Sequence, residues 1–289
     1  MKFLIALLSI GFGVPAISQE KINFALPAAS PSGSITQQLG TADVTITYSR
    51  PMARGRKIFG GLVPLDSLWR TGASGCTTIE FTQPMIMAGK TLQAGKYALF
   101  TIPGEKDWTI IINTDTALHG AFGYDTKKDI LRFKVPSETA GKTQEAFTMT
   151  LEDINNKGGG NLCLAWENTM VNIPMSSPAD EKIMAVINQR LITSKEANAE
   201  LQYQAANYYY ATGRDYKQAV IWLNEAEKAD PENFYYPNLR QKILGDLKDY
   251  KTGLEAAKKA LSLGEKKKMN GIPALKKRIA DWEIIVQNK

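Results

Sequence analysis

The sequence predicts an α+β multidomain protein, with an all-β, sandwich-like domain over residues 34–175 and a helical repeat region over residues 176–289. In the first half, short segments that alternate apolar and polar residues recur between turn signals, as in β-sandwiches. The second half changes to the period of an α-helix, and part of its pattern repeats. The length of 289 residues also favours two domains, because single cores rarely grow beyond about 250 residues.

The first 18 residues have the composition of a cleavable signal peptide. Lys2 supplies a positive charge, residues 3–14 are almost entirely apolar, and Ala16 and Ser18 place small side chains where a signal peptidase reads them. The apolar run is shorter than the roughly 20 residues that a membrane-spanning helix needs. We therefore expect cleavage after Ser18, a flexible lead-in over residues 19–33, and a periplasmic or secreted mature protein with no transmembrane segment.

Strand-like alternation begins at residue 34. Val44, Ile46 and Tyr48 alternate with polar residues, as expected for a strand with one buried face. Turn signals such as Pro103-Gly104 separate the later segments. Further strands are predicted at residues 78–81, 85–87, 97–102, 108–112, 130–135, 146–154 and 162–173. Eight or nine short strands at this spacing favour a sandwich or a barrel.

Residues 48–72 are rich in Arg, Pro and Gly, and we expect them to form a long loop system between strands. Guanidinium groups bind carboxylates, phosphates and sulfates, so the loop could form an anion pocket. The alternative, which we favour, is that the arginines bond loop carbonyls or acidic residues such as Asp66 and hold the loop in place. The candidate ligand-binding residues are Arg50, Arg54, Arg56, Arg70 and Trp69.

Helical periodicity begins near Ser177-Pro178 and continues to the end of the chain. The dipeptides Asp215-Tyr216 and Asp249-Tyr250 align at an offset of 34 residues, the period of tetratricopeptide (TPR) repeats. The first unit resembles the TPR pattern well. The second is degenerate, with Gly253 where the pattern has a small alanine, and residues 272–286 are predicted to cap the stack.

TPR-like repeats present concave surfaces that bind peptides, so we expect a protein or peptide partner for this region. The candidate groove residues are Tyr203, Tyr209, Tyr210, Tyr235 and Tyr236. The lysine-rich runs at residues 266–268 and 276–278 are expected to form a solvated face. Because export is predicted, we expect no nucleic-acid partner.

The residue types available exclude several kinds of site. With one histidine, His119, and two cysteines, the chain lacks the ligands of a usual zinc site. It contains no nucleophile elbow and no phosphate-binding glycine motif. We therefore predict no metal, no cofactor and no catalytic residues. Cys76 and Cys163 could form a disulfide in an oxidising compartment, or they could remain buried free thiols.

The run YSRPMARGRKIFGGLVPLDSLWRTGA, followed by LQAGKYALFTIPGEKDWTIIIN and KKDILRFKV, resembles the DUF2911 family of exported bacterial proteins over about residues 30–175. The resemblance implies one β domain with an appended helical region. The family has no established activity, so the resemblance implies neither a substrate nor catalytic residues.

The leading functional hypothesis is a non-enzymatic binding or assembly protein of the bacterial cell envelope. Two alternatives remain open: a periplasmic hydrolase of glycans or peptides that uses a carboxylate pair of the β domain, and a carbohydrate-binding module that uses Trp69 and Trp108. An enzyme requires a deep pocket with two carboxylates of shifted pKa, whereas a binding module presents shallow aromatic or basic surfaces.

Overall fold

The structure, a computed structural model, describes residues 26–288. The predicted signal peptide and the first part of the predicted lead-in lie outside these residues. The lead-in is shorter than expected at its other end, because Ser32 and Gly33 already belong to the first strand, where they pair with Ser49 and Tyr48. Arg50 N also donates a hydrogen bond of 2.8 Å to Pro31 O, next to the Ser32–Ser49 pair at the end of this ladder.

Nine antiparallel strands form the β domain, and they belong to one sheet with the spatial order β1-β2-β3-β6-β7-β8-β9-β4-β5. The alternation in β2 is confirmed, because Val44, Ile46 and Tyr48 are buried. The strands are β1 (Ser32–Leu39), β2 (Ala42–Ser49), β3 (Thr77–Phe81), β4 (Met85–Met87), β5 (Lys90–Leu92), β6 (Gly95–Pro103), β7 (Asp107–Asn113), β8 (Asp129–Glu152) and β9 (Gly159–Ser176).

Strand β8 is shared by both halves of the sheet. Its first part pairs with β7 and its second part with β9, and the pairing with β9 shifts register on either side of Gln144. The sequence predicted two separate strands here. They are joined because the polar residues between them still pair with β9, as Glu138 does with Met170.

The two halves of the sheet face each other across the core. The Tyr48 hydroxyl of β2 accepts a hydrogen bond from Met149 N of β8 at 2.9 Å, although three strands separate β2 from β8 in the sheet. The Tyr48 and Phe147 rings also meet edge to face at 5.9 Å. One buried apolar cluster therefore includes side chains of both halves, among them Ile46, Leu99 and Trp166.

The chain after Ser176 is helical, which confirms the predicted fold class of a β domain followed by a helical region. Neighbouring helices pack in chain order from the second helix to the sixth. The helices are α1 (Ala179–Ile187), followed by a π-helical turn (Asn188–Thr193), α2 (Ala199–Ala211), α3 (Tyr216–Ala229), α4 (Tyr235–Asp246), α5 (Tyr250–Lys266) and α6 (Ile272–Gln287). Within residues 26–288, no helix combines the length and the apolar character that crossing a membrane requires.

Polar side chains define where three of the helices begin. Asn198, Asp215 and Asp249 precede α2, α3 and α5, and each side chain accepts a hydrogen bond from a backbone N–H of the first turn. Such N-caps each contribute about 1 kcal/mol to stability, because they satisfy donors that the helix itself cannot.

The last helix covers α4 and α5 with the indole ring of Trp282, which is 8% exposed. Two glycines make room for this ring. A Cβ atom added to Gly245 would lie 2.7 Å from the indole Cζ2, and one added to Gly253 would lie 2.9 Å from Cζ3. Gly253, which departs from the TPR pattern, is therefore the residue that admits the ring.

We expect Gly253→Ala to destabilise the protein by about 1 kcal/mol. The clash with the ring costs about 1–3 kcal/mol, and the higher helix propensity of alanine offsets about 1 kcal/mol of that cost. In a Trp282→Leu background the same substitution should be neutral or stabilising. Urea unfolding followed by circular dichroism measures both effects, and equal destabilisation in the two backgrounds would refute this account of Gly253.

Candidate functional site

The arginine loop, residues 50–76, connects β2 to β3 and contains all five candidate ligand-binding residues of the β domain. Two carboxylates hold the backbone of this loop. Glu145 Oε1 accepts a hydrogen bond from Arg54 N at 2.8 Å, and Glu167 Oε2 accepts one from Ile58 N at 3.1 Å. The acidic side chains beside the loop therefore bond to its backbone amides.

Arg50 connects the start of the loop to the opposite half of the sheet. Its Nε donates to Phe147 O at 3.2 Å, and its Nη2 donates to Thr148 Oγ1 at 2.8 Å. Both acceptors lie on β8, and the Phe147 side chain is fully buried. Arg50 thus holds the loop and the second half of β8 together.

Arg54 and Arg56 also donate to backbone carbonyl groups. Arg54 Nη2 bonds Ala29 O at 3.3 Å, while Arg56 bonds Ala53 O through Nε at 3.0 Å and Met52 O through Nη2 at 2.7 Å. Arg56 therefore closes its own turn of the loop. The geometry of both residues agrees with a structural role, in which carbonyl groups and not acidic side chains are the acceptors.

Trp69 belongs to the core. It is 8% exposed, its Nε1 donates to Gly72 O at 3.1 Å, and its backbone forms an isolated bridge with Thr101 of β6. The centroid of its ring lies 5.1–6.1 Å from the ring centroids of Phe59, Trp108, Phe147 and Trp166. Trp108 is 2% exposed, so neither tryptophan of the carbohydrate-binding alternative offers an open ring face to a sugar.

Arg70 differs from the other three arginines. Its Nε is buried and has no hydrogen-bond partner, and the guanidinium forms no ion pair with any residue that the structure describes. It lines a cleft of about 200 Å³, which we call the Trp69–Arg70 cleft. The other lining residues are Pro51, Leu62, Val63, Pro64, Ser67, Leu68, Trp69, Gly72, Ala73 and Trp166, so no carboxylate lines this cleft.

Asp115, in the loop before β8, and Asp129, the first residue of β8, have basic or hydroxyl partners. Asp115 forms an ion pair with Lys128 at 2.7 Å, and this bond lowers the pKa of Asp115. Asp129 accepts from Arg132 Nε at 2.6 Å and from the Tyr124 hydroxyl at 2.7 Å. A general acid needs a raised pKa, so the lowered pKa of Asp115 does not favour a general-acid role for this residue in the hydrolase alternative.

The disulfide that the sequence allowed is absent from the structure, because Cys76 and Cys163 are both free. Cys76 Sγ donates to Thr116 O at 3.2 Å and packs against the cluster that contains Phe100. Cys163 is buried within β9, where it pairs with Thr150 of β8. Burial raises the pKa of both thiols, as expected for inert cysteines.

The tyrosine candidates of the helical region do not form one surface. Tyr203 meets Tyr235 and Tyr236 at centroid distances of 6.2 and 5.5 Å, but only Tyr235 of these three is largely exposed, at 51%. Tyr209 and Tyr236 are buried in the helical core, where Tyr209 packs against Trp222 at 4.9 Å. Burial therefore places Tyr209 and Tyr236 in the core and not on an open groove surface.

A groove does exist between α4 and α6, and Lys242 and Arg278 lie at its centre. It consists of two adjoining cavities, of about 240 and about 530 Å³, and both residues line both cavities. The first cavity is also lined by Phe234, Asn238, Gln241, Asn270, Gly271, Ile272, Ala274 and Leu275, and the second by Tyr210, Gly245, Asp246, Tyr250 and Trp282. We call this surface the α4–α6 groove.

The two cations of the α4–α6 groove lack carboxylate partners among the described residues. Arg278 Nη1 donates to Gln241 Oε1 at 2.9 Å, and its guanidinium carbon lies 5.8 Å from the centroid of the Trp282 ring. Lys242 is exposed. The sequence interpretation placed Arg278 on a solvated face with its lysine neighbours, and Arg278 is indeed exposed. Its hydrogen bond to Gln241 of α4 depends on how the helices pack, which a run of charges does not indicate.

We expect Arg50→Met to destabilise the protein by about 1–3 kcal/mol, because it leaves the carbonyl of buried Phe147 without its donor. Arg54→Met should change the free energy of unfolding by no more than about 0.5 kcal/mol, since that side chain is exposed and makes a single bond. Parallel urea titrations test the difference. Equal effects of the two substitutions would show that Arg50 does not act as a clamp.

One comparison with known proteins identifies the β domain. A family model described as "Protein of unknown function (DUF2911)" matches residues 30–175, which are 146 of the 289 residues. No curated protein sequence matches the chain. The matched range includes the entire arginine loop and eight of the nine strands in full, so the Trp69–Arg70 cleft lies within the matched range, whereas the α4–α6 groove lies outside it. Through this domain the chain belongs to the DUF2911 family.

Proposed function

We propose that this protein is an exported, non-enzymatic binding or assembly protein of the bacterial cell envelope, whose helical region engages a protein or peptide. The observation that carries the proposal is the α4–α6 groove, where Lys242 and Arg278 lie together and no carboxylate of residues 26–288 forms an ion pair with either. A groove of this kind binds a partner by contact and charge, with no chemical step.

The helical region is interpreted as two TPR-like repeats, α2–α3 and α4–α5, with α6 as the cap. Asp215 and Asp249 cap the second helix of each pair, Tyr216 and Tyr250 follow them, and the two sites are 34 residues apart, the TPR period. Residues of the first helices, such as Tyr210 of α2 and Lys242 of α4, line the groove together with α6. This arrangement supports a concave binding surface.

The chemistry of the groove favours a partner segment with acidic side chains. Lys242 and Arg278 supply positive charge, and Asn238 and Asn270 supply amides that can bond a peptide backbone. The apolar wall includes Trp282, beside the cation of Arg278. Asp246 is the acidic residue of the groove. Burial of Tyr210, together with its hydrogen bond to Asp246, raises the pKa of that tyrosine.

We expect Lys242→Glu to abolish most capture of the partner from an envelope extract of the native host. The substitution reverses the charge at the centre of the groove. Lys251→Glu is the matched control. Lys251 is an exposed lysine of α5 outside the groove, and its substitution changes the charge by the same amount. Full-length tagged variants are compared by quantitative mass spectrometry of the captured proteins. Identical captured sets for both variants would overturn the proposal.

Export is proposed from residues 1–18 of the sequence. Expressed at full length in a bacterial host, the mature protein should begin at Gln19, and its intact mass should lack the first 18 residues. Ala16→Asp should block processing, because the peptidase reads a small residue at that position. Recovery of the unprocessed wild-type chain from the cytoplasm would contradict this prediction.

A further inference from the structure

We propose that the β domain carries a separate binding site, in which the Trp69–Arg70 cleft holds a compact apolar carboxylate of about the size of benzoate. The site does not depend on the helical groove, since all the residues that line it precede Glu167. Four observations lead to it: an unpartnered arginine, a rigid support for that arginine, an apolar lining and a matching volume.

The unpartnered arginine is Arg70. The other three arginines of the loop donate to carbonyl or hydroxyl oxygens and stabilise the fold, whereas the Arg70 Nε is buried without a partner. A buried polar group in a native protein nearly always has a partner, so an unsatisfied donor on a residue that lines a cleft points to a ligand acceptor.

The guanidinium of Arg70 packs against a neighbouring loop. A Cβ atom added to Gly120 would lie 3.4 Å from Arg70 Nη1, so the backbone of the β7–β8 loop packs closely against it. The backbone of Arg70 is also held, because its carbonyl accepts from Thr77 N at 3.4 Å. A planar guanidinium that is held in place binds a carboxylate through two parallel hydrogen bonds.

Apart from Ser67, the side chains that line the rest of the cleft are apolar, and none of them is acidic. Its walls include Pro51, Leu62, Val63 and Leu68, with Trp166 at the core side. Leu62 is 45% exposed, so a bound apolar group would remove part of this side chain from water. A bare inorganic anion would leave these walls uncovered, and therefore the lining favours a carboxylate with an apolar substituent.

The volume sets the size of that substituent. An apolar cavity of roughly 150 Å³ accommodates benzene, so a cleft of about 200 Å³ accommodates a six-membered ring with its carboxylate. A disaccharide or a folded peptide segment is too large. The proposal therefore differs in ligand class from the partner of the α4–α6 groove.

The test is a titration of the mature full-length protein with benzoate, followed by tryptophan fluorescence and by ligand-observed NMR. Benzamide has the same shape without the charge, and we expect it to bind about tenfold more weakly, because the charge-assisted bonds are lost. Sulfate should compete only weakly. Equal binding of benzoate and benzamide, or displacement of benzoate by equimolar sulfate, would overturn the proposal.

Two variants, Arg70→Gln and Leu62→Asp, locate the site, and Arg54→Gln is the control. Arg70→Gln should weaken benzoate binding about tenfold, whereas Arg54→Gln, on the same loop, should leave it unchanged. Leu62→Asp changes an exposed residue at the cleft without altering Arg70 and should weaken benzoate binding by repulsion, which keeps the test valid if Arg70→Gln does not fold. Unchanged affinity in both Arg70→Gln and Leu62→Asp would show that benzoate binds elsewhere.

Discussion

The packing of Trp69 against Trp166 is the contact on which the β domain depends most. The two indole rings stack at 5.9 Å with an angle of 19° between their planes, and they come from the arginine loop and from β9. Phe59, from the same loop, lies 4.7 Å from Trp108. A loop of this length would otherwise be mobile, but these aromatic side chains make it part of the core, because burying each of them removes a large apolar surface from water.

This anchoring explains why four arginines on one loop have different roles. With the loop held by its aromatic residues, Arg50, Arg54 and Arg56 lie beside carbonyl groups that need donors, and they bond them. Arg70 follows Trp69 directly, so its side chain is positioned at the edge of the core, where no such carbonyl is within reach of Nε. The structural arginines and Arg70 therefore differ in where they lie relative to the Trp69 indole.

Local patterns in the sequence predict the architecture but not the contacts between distant segments. The alternation of Val44, Ile46 and Tyr48 predicts β2, and the paired Asp-Tyr dipeptides predict the starts of α3 and α5. The burial of Tyr209 and Tyr236 depends on which helices pack together, and tyrosine, with an apolar ring and a polar hydroxyl, occurs both at interfaces and in cores. Likewise, no spacing of arginines indicates which carbonyl group lies opposite each guanidinium.

The position of Trp282 also limits how many helices can stack after α5. Because its ring fills the space above Gly245 and Gly253, α6 closes the stack, and another helix pair could not be added after α5 without removing this ring. The same helix also forms one wall of the α4–α6 groove, through Leu275, Arg278 and Trp282. In open-ended repeat proteins, longer partners are accommodated by adding units. Here α6 occupies the position of the next unit, so the proposed recognition would rest on the side chains already present in the groove.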